Sequence, residues 1–187
     1  VEYGWTGTLV PFKAGYNFTP LQYAVPAVSG NLSSKDFTGA VIEYFISGTI
    51  VDSQQQAIEG VSVQFTADPG TVTTNAAGEY SVEVPYGYSG TATPQLAGYT
   101  FNPAVRTYSD VTAPAEDEDF TGTLQTFSIS GTITEGGSPL EGVEVSFSNG
   151  GGTVLTDAAG FYTITLPYGW LGTSTPSYAG KDFFPES

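Results

Sequence analysis

The chain has 187 residues, with 4 Lys and Arg against 19 Asp and Glu, a formal net charge of −15, and no Cys, His or Met. That composition excludes an imidazole base, a thiol nucleophile, a disulfide framework and an ordinary zinc or copper site. So few cations argue against any nucleic-acid partner, and no run of about 18 apolar residues is present to span a membrane. A hydrophobic content of 40%, with 12 Tyr and 12 Phe, is enough to build a core, so the chain is expected to fold. It starts at Val1 without an initiator Met or a signal-like stretch, which points to a processed or excised piece. Low charge and abundant Thr, Ser, Gly and Tyr suit an exported protein, extracellular or on a cell surface.

Residues 1–44 introduce motifs that return. Tyr3–Pro11 (YGWTGTLVP) recurs at Tyr86–Pro94 (YGYSGTATP) and Tyr168–Pro176 (YGWLGTSTP), in steps of 83 and then 82. Ala14–Pro20 (AGYNFTP) matches Ala97–Pro103 and, more loosely, Ala179–Pro185, while Asp36–Gly39 (DFTG) matches Asp119–Gly122. Ile46–Ile50 (ISGTI) returns at Ile129–Ile133. One residue is lost between Gly131 and Gly142, as a surface loop tolerates. Internal repetition at such a period marks a repeat architecture.

The repeat from 45 to 124 predicts about seven strands, near 45–52, 61–67, 71–75, 79–85, 89–97, 104–111 and 117–124. Val61, Val63 and Phe65 alternate with polar neighbours, as do Tyr80, Val82 and Val84, so each strand is expected to bury one face. These six are the predicted core. Asn75–Gly78 and Asp157–Gly160 carry the residues of tight turns, and Gly48, Gly78 and Gly87 are expected at turns or close approaches. The expected fold is all-β: tandem seven-stranded antiparallel β-sandwich modules, Ig-like or prealbumin-like, in a rod. Three domains follow: 1–44 as the C-terminal half of a repeat, 45–124 as a complete one, and 125–187 as one lacking its last strands. Such half-units would expose apolar faces and strand edges, so either the chain is part of a longer array or its ends complete one another between subunits.

The elements Gly48, Gly60–Val63, Thr74–Tyr80 and Pro85–Gly87, copied at Gly131, Gly142–Val145, Thr156–Tyr162 and Pro167–Gly169, resemble the carboxypeptidase regulatory-like domains and the B-type repeats of collagen adhesins. The resemblance implies tandem modules of bacterial surface proteins. It also implies a Lys in the first strand for an isopeptide crosslink. No Lys occurs between Lys35 and Lys181, so the middle repeat cannot carry one.

Three features could carry chemistry. Trp5, Tyr88 and Trp170 occupy one place in three repeats; they are candidate stacking platforms for a polysaccharide, or packing residues at the sandwich end or at the joint between repeats. The acidic run Ala115–Asp119 could attract calcium, or act as a charged edge that blocks pairing. Asn17–Thr19 and Asn31–Ser33 match the glycosylation acceptor pattern. No catalytic, cofactor-binding or metal-binding residues are expected, and the chain is not expected to be an enzyme. The expected role is that of a structural repeat in an extracellular bacterial stalk, fibre or filament, with itself as partner. An adhesin or carbohydrate-binding module, or an accessory domain of a secreted hydrolase, is the alternative.

Overall fold

The computed structural model describes residues 1–184; Pro185, the last residue of the third AG motif, lies outside the described residues. Among those described there is no helix. Two compact units form, Val1–Leu96 with Phe101–Gly122, and Ala97–Thr100 with Thr123–Ser187.

In the first unit, β1 (Gly7–Leu9) pairs with β3 (Tyr23–Val25), and β2 (Tyr16–Thr19) pairs with β4 (Thr38–Val41), both antiparallel. There follow β5 (Glu43–Val51), β6 (Ser62–Phe65), β7 (Thr71–Thr73), β8 (Glu79–Pro85), β9 (Tyr88–Gln95), β10 (Tyr99–Asn102), β11 (Arg106–Val111) and β12 (Phe120–Leu124). These make two four-stranded sheets, in the orders β10-β12-β5-β8 and β11-β9-β6-β7. All six predicted core residues are buried, joined by Ile46, Ile50, Tyr108 and Phe120. Along β8 buried Tyr80, Val82 and Val84 alternate with exposed Glu79, Ser81 and Glu83, the period of a half-buried strand.

Two features depart from the expected seven antiparallel strands. The short strand β10 makes eight, and β12 runs parallel to β5, Phe120 opposite Ile50 and Thr121 opposite Val51. Side-chain alternation is blind to strand direction, so the pattern alone could not assign that ladder. The seam begins before β12. Ala115 N–H donates to Phe45 C=O, Ser47 N–H to Ala115 C=O and Glu118 N–H to Ser47 C=O, at 2.9–3.0 Å. Gly48 permits this closeness, since a Cβ there would lie 2.6 Å from the Glu118 carbonyl. Gly78 has φ +75°, which closes the β7–β8 turn at little cost.

In the second unit β13 (Thr126–Thr132) pairs with β18 (Phe161–Pro167), and β14 (Thr134–Glu135) with β15 (Ser138–Pro139). A second sheet has the order β17 (Gly152–Leu155), β16 (Glu144–Phe147), β19 (Ser174–Ser177). Val145, Phe147 and Leu166 form its core, with Ile133, Tyr162, Ile164 and Trp170 packed against them.

Among the described residues each unit also holds one buried threonine. The Thr74 hydroxyl donates to Ile58 C=O at 2.8 Å and accepts from Val61 N–H at 2.9 Å. Thr156 repeats this with Leu140 and Val143. Both tie the loop after the first strand to the next one, satisfying buried backbone groups that would otherwise be costly.

Candidate functional site

The three aromatic positions sit differently. Tyr88 is 5% exposed, and its hydroxyl donates to Thr66 C=O at 2.7 Å. Trp170 repeats the device: its indole Nε1–H donates to Ser148 C=O at 3.2 Å, and its ring lies 5.9 Å from that of Phe147. Each ring folds back over the glycine two residues on, Gly90 and Gly172, as Trp5 does over Gly7. Trp5 is 37% exposed and offers a partly open face. Burial raises the Tyr88 phenol and the Thr66 side chain lowers it, with a net upward shift.

The neighbouring tyrosines do something the repeat alone does not display. Gly15 and Gly98, each from an AG motif, lie under the rings of Tyr86 and Tyr168; a Cβ would meet ring atoms at 2.4 and 2.2 Å. A backbone relay accompanies each contact. Tyr86 N–H donates to Ile42 C=O and Ile42 N–H to Gly15 C=O, both at 2.8 Å. Tyr168 N–H donates to Gln125 C=O at 2.8 Å and Gln125 N–H to Gly98 C=O at 2.7 Å. In both places the YG motif of one repeat clasps the AG motif before it. Tyr3, the first of the series, is 87% exposed. Sequence reasoning considered one ring of each pair for packing; the pairing of YG with AG is long-range and leaves no local pattern.

The acidic run is shared among protein partners. Glu118 accepts from the Arg106 guanidinium at 3.0 Å, which also donates to Asp119 C=O. Asp119 Oδ1 accepts from Thr49 N–H at 2.6 Å and from its hydroxyl at 2.9 Å. Tyr80 donates to Glu118 C=O. Burial, with the Glu118 charge adding, pushes the Tyr80 phenol upward, and burial does the same at Tyr108. Among the described residues no group of carboxylates converges as a metal site would require. Asn17 and Asn31 are exposed.

No family model matches the chain. Among curated proteins, chitinase ChiA of Flavobacterium johnsoniae is 30% identical over 150 residues, covering 78% of this chain and 9% of the chitinase. Among solved structures, the Bacillus anthracis TIE protein has a TM-score of 0.58 at 15% identity, over 88% of this chain and 37% of that one. A streptococcal ancillary pilin reaches only 0.37 at 12% identity, over 87% of this chain and 67% of that one, too loose to carry an argument. The likeness to the TIE protein shows the fold: an all-β chain of the Ig-like kind. The chain spans 9% of the chitinase that it resembles.

Proposed function

We propose that the chain is a non-catalytic structural segment of an extracellular bacterial surface protein. Its repeats, 1–44, 45–124 and 125–187, serve as spacers in a stalk, fibre or filament, within a longer tandem array or joined head to tail with copies of itself. The carboxypeptidase regulatory-like and collagen-adhesin pattern in the sequence favours this reading. The observation that carries it is where the recurring residues go: Tyr86 and Tyr168 lie on Gly15 and Gly98, while Tyr88 and Trp170 cap sandwich ends. Repetition here is spent on holding backbone to backbone.

A second reading draws on the chitinase likeness: an accessory segment of a secreted polysaccharide hydrolase, with catalysis located elsewhere. Titration of tryptophan fluorescence with soluble chitin oligosaccharides and other glycans separates the two. Trp5, with its partly open ring, is the reporter for a stacking site. The structural role predicts no saturable change. A saturable shift that disappears in Trp5→Ala would replace it with a carbohydrate-binding role.

A further inference from the structure

β18 is an edge strand, bonded to β13 on one side alone. That edge belongs to the fold, because in the middle sandwich the equivalent strand β8 ends the order β10-β12-β5-β8. Two bonds bracket the β13–β18 ladder and set its alternation: Ile133 N–H to Gly160 C=O and Tyr168 N–H to Gln125 C=O. Tyr162, Ile164 and Leu166 therefore bond to β13, while Thr163 and Thr165 turn their backbone N–H and C=O outward. Both threonines are exposed, as is Phe161.

The two repeats treat this edge differently. β8 presents exposed Glu79, Ser81 and Glu83, and Glu43 stands on the same face of its sheet. Carboxylates so placed keep one strand edge from pairing with another. Their copies in the second unit are Phe161, Thr163, Thr165 and Thr126, so all three carboxylates are gone. On β17, which packs beside β18, Leu155 is 60% exposed where the middle repeat has Thr73. The second unit thus lacks the guard that its own copy carries.

We infer that β18 is a self-association edge: the β18 strands of two copies of this chain pair antiparallel about a two-fold axis at Ile164, joining two β13–β18 sheets into one. This goes beyond the structural role proposed above and holds equally for an accessory segment. In that register each Thr163 lies opposite the second copy's Thr165, and the two pairs exchange four backbone hydrogen bonds. Every N–H and C=O that the two threonines turn outward is then satisfied. Phe161 faces the second copy's Pro167, apolar against apolar, and no carboxylate meets another. The same pairing between two β8 strands would gather four glutamates on one face. A self-complementary edge free of carboxylates is what a second copy of a chain with net charge −15 requires. Because both partners use the same strand, the contact is isologous and closes as a dimer.

Sedimentation equilibrium of the full chain tests this. Wild type should form dimers as its concentration approaches about 1 mM, since so short a ladder makes a weak interface. Phe161→Glu with Thr165→Glu, the residues that β8 carries in those places, should weaken the association about tenfold or more. The chain has no Cys, so single cysteines read the register. Facing residues at a non-hydrogen-bonded position lie about 4.5 Å apart, within reach of a disulfide. Ile164→Cys should therefore crosslink as a dimer under mild oxidation, and Val82→Cys, at the same place on β8, should stay monomeric. The glutamate variant alters only exposed positions and remains decisive even if a cysteine at half-buried Ile164 disturbs folding. A wild type that stays monomeric throughout overturns the proposal. So do dimers indifferent to the two glutamates, or a Val82→Cys chain that crosslinks as readily as Ile164→Cys.

Discussion

Phe120→Ala should destabilise the middle sandwich by about 3–5 kcal/mol. The ring is 1% exposed, its centroid lies 6.2 Å from that of Tyr80, and the Arg106 guanidinium sits 5.5 Å from it. Truncation forfeits roughly 2–3 kcal/mol of apolar burial and about 1 kcal/mol of ring and cation contacts. It also leaves a cavity between two hydrogen-bonded sheets that cannot collapse freely. A sandwich of this size carries a total stability on the order of 4–12 kcal/mol, so the loss is a large share of the whole. Urea unfolding followed by far-ultraviolet circular dichroism is the assay. At a slope of about 1–3 kcal/mol/M the transition should fall by roughly 2 M. Trp5 lies in the same compact unit as Phe120 and Trp170 in the other, so in a Trp5→Phe background the fluorescence transition should move less than the dichroism. A loss below about 1 kcal/mol would refute the view that this ring seals the parallel seam.

Thr74→Val keeps the shape but strands Val61 N–H and Ile58 C=O, and should cost about 1–3 kcal/mol in the same unfolding experiment; Thr156→Val should do likewise in the second unit. Gly98→Ala forces a Cβ into the Tyr168 ring at a φ of +79°, and should destabilise by about 1–3 kcal/mol, a deficit that Tyr168→Ala in the same chain partly relieves. Glu83 hydrogen-bonds and repels Glu43 across the β5–β8 ladder, which raises its carboxyl pKa. A raised folded-state value means the pair stabilises only when protonated and loses that contribution as pH rises through the folded pKa. Glu83→Gln should therefore raise the melting temperature at pH 7 and lose that advantage near pH 3. Tyr80 and Tyr108 are raised by burial, so folding resists their ionisation. Stability should fall as pH climbs past the ordinary tyrosine range of about 10, and the last phenolate absorbance should appear together with unfolding.

The sandwich was largely legible because its information is local. Val61-Ser62-Val63-Gln64-Phe65 and Tyr80–Val84 carry the two-residue period that a half-buried strand imposes, and the repeat supplied each pattern twice. The parallel seam was not legible, because Phe120 alternates with its neighbours identically whichever way the strand runs. Thr74 looks like any strand threonine, and only its burial beneath Ile58 and Val61 shows its role; the sole hint was Thr156 at the same place. The acidic run reads as a solvated stretch or an ion site. Its use, a strap along β5 with Glu118 on Arg106, depends on residues 12 and more positions away. For Trp5, Tyr88 and Trp170 the sequence showed equivalence, but burial separates them, because only the latter two have the Thr66 or Ser148 carbonyl to cover them.

The parallel seam also governs how the middle sandwich responds to tension. β5 begins that sandwich and β12 ends it, and the two run side by side in the same direction. A pull that separates the start of β5 from the end of β12 drags the strands lengthwise past each other. The bonds from Ala115 to Phe45 and Ser47, from Glu118 to Ser47, and those of the ladder at Phe120 are then loaded together, not unzipped in sequence. The Thr49–Asp119 contacts lie across the same line of slip and act as rivets along it, while Arg106 ties Glu118 to β11 of the other sheet.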